Sequence, residues 1–216
     1  MNPAPRRSYW KVKALVAQWT DEQLLASYLS GDEAAFGVLV RRYQRSLHQF
    51  LFRFLGDATL AEDVFQETFL QVAHSARQFN PDRTLRPWLF TIAANKARDA
   101  LRSRARQKTT DLDAAVDSAD AEGAQFLDFL AADEPLPLER LELLDAARLV
   151  RGIVAGMPSR LRMVLVLSYF QGLPYQEIAE ILGVPLGTVK SRLHAAVAQF
   201  AQHWRQVAAD EAGAEA

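Results

Sequence analysis

Helical period dominates the chain from Thr20 to Gln107, and that restricts its N-terminal part to a bundle of packed helices. Phe36, Leu39, Val40, Tyr43, Leu47, Leu51 and Phe54 fall at three- and four-residue steps, the spacing of one buried helix face. Thr20-x-x-Gln23 and Ser30-x-x-Glu33 both read as capping boxes that open helices. Gly31 and Gly56 mark helix ends, and Asp57 can cap the next start. Pro81 and Pro87 bracket a turn segment, Phe79 to Pro87, before a long helix that runs to about Gln107. The expected result is a compact bundle of about four helices.

Beyond Lys108 the period weakens and Asp, Ala, Ser and Gly accumulate, as in a solvated linker. Phe126, Leu127, Phe129 and Leu130 form an apolar cluster inside it, with no role that we can assign. Helices resume after Pro137, Pro158 and Pro174, each proline suiting a first helical turn. The fold class expected is all-α: two small helical domains joined by an acidic flexible linker. The boundaries read as an N-terminal extension at 1–19, a helical domain at 20–107, the linker at 108–136, a helix-turn-helix domain at 137–207 and a frayed tail at 208–216. The extension carries Tyr9, Trp10 and Trp19 and has no functional reading.

With 216 residues, half of them hydrophobic, each of two small domains can bury a core. The absence of cysteine excludes a disulfide framework, a thiolate zinc site and a cysteine nucleophile. No apolar run is long enough for a signal peptide or a membrane span, which points to a cytoplasmic location. The net charge of −1 conceals segregation. Between Arg83 and Lys108 eight basic residues face only Asp99, whereas Thr109 to Glu139 holds nine acidic residues and no basic one. A polyanion responds to that local potential rather than to the total.

The segment Tyr175 to Ala196 carries the strongest local signal. Glu177, Ile178, Ala179 and Ile181 build a short helix ending at Leu182-Gly183, with small Ala179 where two helices approach and Gly183 suited to a left-handed turn. Val189 and Leu193 then set an apolar stripe, leaving Lys190, Ser191, Arg192 and His194 for DNA. This is the pattern of a helix-turn-helix whose second helix enters the major groove. A plain helical hairpin shares the turn but not the acid-free, basic outer face.

Two further helices have divided surfaces. On the helix Leu60 to His74, Ala61, Val64, Phe65, Thr68, Phe69 and Val72 gather on one side, and Glu62, Asp63, Gln66, Glu67 and His74 on the other. Leu70 stands among the acids, either as the small apolar centre of a protein-binding face or, as composition alone slightly favours, as one stray leucine on a solvated face. On the helix from Trp88 to Arg106, Leu89, Ile92, Ala93, Ala97, Ala100 and Leu101 face one way, while Thr91, Asn95, Arg98 and Arg102 form a stripe on the other. Cations beside an amide can hold phosphate and an unstacked base. Trp88 reads first as a core residue.

Five motifs occur in order: Gly31-Asp32-Glu33-Ala34-Ala35-Phe36, Ala61-Glu62-Asp63-Val64-Phe65-Gln66-Glu67-Thr68-Phe69, Trp88-Leu89-Phe90-Thr91-Ile92-Ala93-Ala94-Asn95, Gly172-Leu173-Pro174-Tyr175-Gln176-Glu177-Ile178-Ala179 and Gly187-Thr188-Val189-Lys190-Ser191-Arg192. Together, over about Thr20 to Gln199, the chain resembles the bacterial extracytoplasmic-function sigma factors.

The resemblance implies a sigma factor that binds RNA polymerase core and directs promoter recognition, strand opening and transcription initiation, with no catalysis, cofactor or metal of its own. It implies that Asp63, Gln66 and Glu67 bind the β′ clamp helices, with contacts to the β subunit elsewhere; Leu70 joins that face by its position. It implies −10 contacts from the loop residues Phe79, Asn80, Arg83 and Arg86 and from the helix residues Trp88, Thr91, Asn95, Arg98 and Arg102. Asn95 stands where the family holds a flipped non-template base, and Arg98 and Arg102 would hold phosphates. It implies −35 contacts from Thr188, Lys190, Ser191, Arg192 and His194. Ala195, Ala196, Val197 and Ala198 replace further basic residues common in relatives, so −35 affinity is expected to be modest. It also implies a linker that threads the polymerase cleft, and an anti-sigma factor as a partner besides core and promoter DNA.

Two rivals belong to other classes. A regulator that binds DNA alone shares the helix-turn-helix but leaves the acidic helix and the Trp88–Arg102 stripe without a use. A helical metalloenzyme built on Asp63, Glu67 and His74 lacks evident ligands from other helices.

Overall fold

A computed structural model of the chain describes residues 19–110 and 137–214. The N-terminal extension up to residue 18 and the acidic linker from residue 111, with its Phe126–Leu130 cluster, lie outside the described residues. The described chain is helical, in two domains. The first holds α1 (Asp21–Leu29), α2 (Glu33–Leu55), α3 (Ala58–Ser75) with a short 3-10 turn (Ala76–Gln78), and α4 (Leu85–Thr110). The second holds α5 (Pro137–Gly156), α6 (Ser159–Leu165) continuing into one π-type turn (Val166–Phe170), α7 (Tyr175–Leu182) and α8 (Leu186–Ala214).

Local caps explain most of these starts. At α1, Thr20 and Gln23 form the expected box: the Gln23 amide donates to Thr20 Oγ1 at 3.2 Å, and the Thr20 amide to Gln23 Oε1 at 2.9 Å. The second expected box does not form. Ser30 lies at the end of α1, its hydroxyl donating to the Ala26 carbonyl, and Asp32 caps α2 by accepting from the Ala34 amide. The left-handed Gly31, at φ 103°, turns the chain between the helices and so separates Ser30 from the new start. Asp57 caps α3 as expected, accepting from the Leu60 amide at 2.9 Å.

Pro137 stands in the first turn of α5 as expected, whereas three other prolines are placed differently. Pro158 and Pro174 stand one position before their helices, where their carbonyls accept from Leu161 and Arg162, and from Ile178. Pro87, expected to close a turn, lies inside the first turn of α4, where a missing N–H costs nothing because that amide has no helical acceptor.

The core of the first domain is aromatic at its centre. Phe50, Phe54 and Phe90 are fully buried, with the Phe50 and Phe90 rings edge-to-face at 5.5 Å. Phe50 and Phe90 were not in the apolar stripes read from spacing. They are buried because α2 and α4 each pack against more than one neighbour.

Candidate nucleic-acid interface

Helix α3 shows the division read from its sequence. Ala61, Val64, Thr68, Phe69 and Val72 are buried, Phe65 half-buried, and Glu62, Asp63, Gln66, Glu67 and His74 exposed. Leu70 is 59% exposed among them. Asp63 and Glu67 line a shallow cleft shared with Lys96, Asp99 and Arg104 of α4. Lys96 Nζ meets Glu67 at 3.3 Å, and Arg104 holds the capping carboxylate of Asp57 at 2.8 Å. Lys96 and Arg104 thus belong to this face, although sequence spacing showed only that they were basic. Among the described residues no group of three or more acids and histidines could hold a metal ion.

The loop before α4 and the outer face of that helix lie side by side. Phe79 and Trp88 are half-buried with ring centroids 5.1 Å apart, so Trp88 is at once a core residue and a wall of the loop. Asn80 shapes the loop by accepting from the Asp82 amide at 2.9 Å, which occupies its side-chain oxygen. Arg83, Asn95 and Arg102 are exposed; Arg86, Thr91 and Arg98 are half-buried. Arg98 donates to the side-chain oxygen of Asn95, Thr91 to the Pro87 carbonyl at 2.8 Å, and Arg102 pairs with Asp99 at 3.0 Å. Arg86 donates to the backbone of Gln171 in the second domain at 2.9 Å.

A residue from far along the chain sets this helix in place. Glu22 of α1 accepts from the amide of Leu85, the first residue of α4, at 2.9 Å. It acts as a remote N-cap, and its charge suits the positive helix terminus. Burial alone would raise the Glu22 pKa, but the Leu85 amide, its own amide, the Thr20 hydroxyl and Arg42 outweigh it, and the pKa is lowered. The cap therefore contributes stability above the ordinary carboxylate range that is lost as pH falls through the lowered value. Glu22→Ala should cost about 1 kcal/mol in thermal unfolding at neutral pH, with a smaller difference in acid. Glu22→Gln, which keeps an acceptor, should recover most of it. An Ala variant as stable as the parent at neutral pH would refute the cap.

The helix-turn-helix has the predicted geometry. Gly183 takes φ 62°, ending α7, and its amide bonds the Glu180 carbonyl at 3.2 Å. Ile178 and Ile181 of α7 and Val189, Leu193 and Ala196 of α8 are buried, and α8 packs on both α6 and α7. Lys190, Ser191 and His194 are exposed near the start of α8, whereas Thr188 and Arg192 are half-buried at the edges of that face. Tyr169, 65% exposed, and Tyr175 line a groove with Lys190, Leu193, His194 and Val197. Tyr169 carries no polar spacing signal and was not singled out in the sequence, whereas Tyr175 opens the helix-turn-helix segment and stands in the fourth motif.

A family described as Sigma-70 region 2 matches residues 39–107, and Sigma-70 region 4 matches residues 147–200. Over 164 residues, 76% of this chain and 86% of the relative, the sequence is 34% identical to the ECF RNA polymerase sigma factor SigW of Bacillus subtilis (strain 168). The chain belongs to the extracytoplasmic-function sigma factors. It is 33% identical to the RNA polymerase sigma-H factor of Pseudomonas aeruginosa over 83% of this chain and 91% of that one. Among solved structures it resembles CnrH, in complex with the cytosolic domain of CnrY, with a TM-score of 0.62, 29% identity, and coverage of 86% of this chain and 97% of that one.

As a sigma factor the protein is a non-catalytic subunit that binds RNA polymerase core and directs promoter recognition. Region 2 contains α3 and most of α2 and α4, and region 4 contains the helix-turn-helix. Among the described residues no helix is long and apolar enough to cross a membrane.

Proposed function

We propose that this sigma factor divides its work among three faces. The exposed side of α3, with Asp63, Gln66, Glu67 and Leu70, binds the β′ clamp helices of core polymerase, with the β subunit contacted elsewhere. The loop and outer face of α4, with Phe79, Asn80, Arg83, Arg86, Trp88, Thr91, Asn95, Arg98 and Arg102, hold the −10 element and its flipped base. Helix α8, with Thr188, Lys190, Ser191, Arg192 and His194, reads the −35 element. The supporting observation is the separation of surfaces in region 2: an acidic face around exposed Leu70 on α3, and a cationic stripe around exposed Asn95 on α4. An acidic face suits a basic protein partner, and a cationic stripe suits DNA.

The domain limits proposed are 20–107 and 137–207, joined by the linker at 108–136, with polymerase in the cytoplasm as the place of action. A protein partner of the anti-sigma kind is part of the proposal, since the related CnrH was solved bound to the cytosolic domain of CnrY. The test is transcription of fragmented genomic DNA by core polymerase with and without the protein, mapping RNA 5′ ends. New starts that share two spaced upstream elements are expected. With active core, no new starts would refute the reading and favour a regulator that binds DNA alone.

A further inference from the structure

A groove in region 4 runs along one flank of the proposed −35 helix. Its lining is Tyr169, Tyr175, Lys190, Leu193, His194 and Val197. Lys190, His194 and Val197 stand at four- and three-residue steps, so they form one stripe along α8. Leu193 is buried beneath them, and Tyr175 is the first residue of α7. Tyr169 comes from the π-type turn that ends α6, where the Gln171 amide closes on the Val166 carbonyl at 3.1 Å. Residues Met163 to Leu167 just before it are all buried, yet Tyr169 is 65% exposed.

One exposed tyrosine alone says little, because single apolar groups are common on protein surfaces. Here Tyr169, Tyr175 and Val197 are all large exposed side chains with apolar bodies, and all three line the same groove. No carboxylate lines it, and from Ile181 to Ala209 the chain holds no acid. The groove is continuous with the proposed −35 face, since Lys190 and His194 belong to both. An acid-free groove bordered by a lysine suits a polyanion.

Dimensions decide which part of a duplex such a groove meets. An α-helix with its side chains is about 10–12 Å across and the major groove about 12 Å wide, so a recognition helix fills it. The flanks of that helix then face the walls of the major groove, which are sugar–phosphate strands. A tyrosine suits such a strand, because its ring packs on a deoxyribose while its hydroxyl donates to a phosphate oxygen. Val197 offers the sugar an apolar surface. It belongs to the run Ala195 to Ala198, which has no cation.

We infer that Tyr169, with Val197 beside it, is a further DNA contact of region 4. It holds one sugar–phosphate strand of the −35 element against the flank of α8 through uncharged contacts. This rests on the assignment of α8 to the −35 element. Tyr169 positions the duplex and reads no base, so it acts alike on different −35 sequences. A neutral donor releases no counter-ion from DNA, whereas each cation on a phosphate adds about 0.9 to the slope of log affinity against log salt. This share of −35 binding therefore persists as salt rises.

The test uses core polymerase with the full chain on a mapped promoter fragment, with affinity measured across a salt series. Core is the same throughout, so differences between variants belong to this chain. Tyr169→Phe, which keeps the ring, should weaken binding about tenfold, and Tyr169→Ala should weaken it further. Neither should change the salt slope. Lys190→Ala should also weaken binding, but with a slope flatter by about 0.9. Val197→Arg puts a cation into the groove and should tighten binding while steepening the slope. Methylphosphonates in place of single phosphates locate the contact: at one position, Tyr169→Phe should cost little once that charge is gone.

Thermal unfolding and affinity for core without DNA are measured beside these. Where Tyr169→Ala fails to fold, Tyr169→Phe and the gain in Val197→Arg carry the test. Weaker binding of Tyr169→Phe to core without DNA would make the groove a polymerase contact and overturn the proposal. Normal promoter affinity in both Tyr169 variants, beside a loss in Lys190→Ala, would remove Tyr169 while the −35 reading of α8 stands. If all four variants bind the promoter normally, α8 is not the −35 reader, and both readings fall together.

Discussion

Asp63→Arg is expected to abolish stable binding to core polymerase while leaving the fold intact. Asp63 is exposed on α3 beside Glu67, and the cleft it lines already contains Lys96 and Arg104. Reversing its charge puts a third cation into a face that the proposal sets against a basic partner. Like charges placed together at an interface cost several kcal/mol, so a loss of about thirtyfold or more in affinity is expected, from ~2 kcal/mol upwards. The unfolding midpoint should move little, because substitutions on an exposed face usually change stability by under about 0.5 kcal/mol. Fluorescence anisotropy of labelled protein titrated with core, beside thermal unfolding, reads both. Normal core affinity in the folded variant would show that the α3 face is not the polymerase contact.

The second large effect concerns opening of the promoter. Asn95→Ala should bind core with normal affinity but form open complexes about 10- to 100-fold less well, since a side chain that pairs as donor and acceptor with a base contributes roughly 1–3 kcal/mol. In the free protein the Asn95 oxygen accepts from Arg98, so reading a base requires that bond to be exchanged. Arg98→Ala is the useful companion. It should weaken DNA binding across sequences and lower its salt dependence, whereas Asn95→Ala should act mainly on the opened strand. Permanganate reactivity of unpaired thymines on a mapped promoter distinguishes them. Loss of core binding by Asn95→Ala, or full opening, would remove Asn95 from the base pocket.

Much of the machinery was legible because it depends on residues close together in sequence. Period alone separated the buried side of α3 from its acidic side. Gly183 and the small Ala179 announced the turn between α7 and α8, where a backbone angle permits few residues. Order-dependent motifs then led to the family, and the two regions found by comparison fall on the same two domains. The errors were also local. Ser30-x-x-Glu33 satisfies the capping pattern, but a left-handed Gly31 intervenes, and Asp32 is the cap. Pro87 reads as the close of the turn segment, yet it lies inside the first turn of α4, where a proline is tolerated.

What the sequence by itself determined is the set of helices, the side of each that must be buried, and the residue types left on the outside. These follow from side-chain period and from caps that reach only a few residues. Tertiary structure alone decided that Glu22 caps α4 from α1, that Lys96 and Arg104 share the acidic face of α3, and that Arg86 is held by the opposite domain. Each of those pairings joins groups distant in sequence, or meets a backbone carbonyl or amide that every residue carries. No pattern of side-chain types can mark such a partner; only packing brings it within reach.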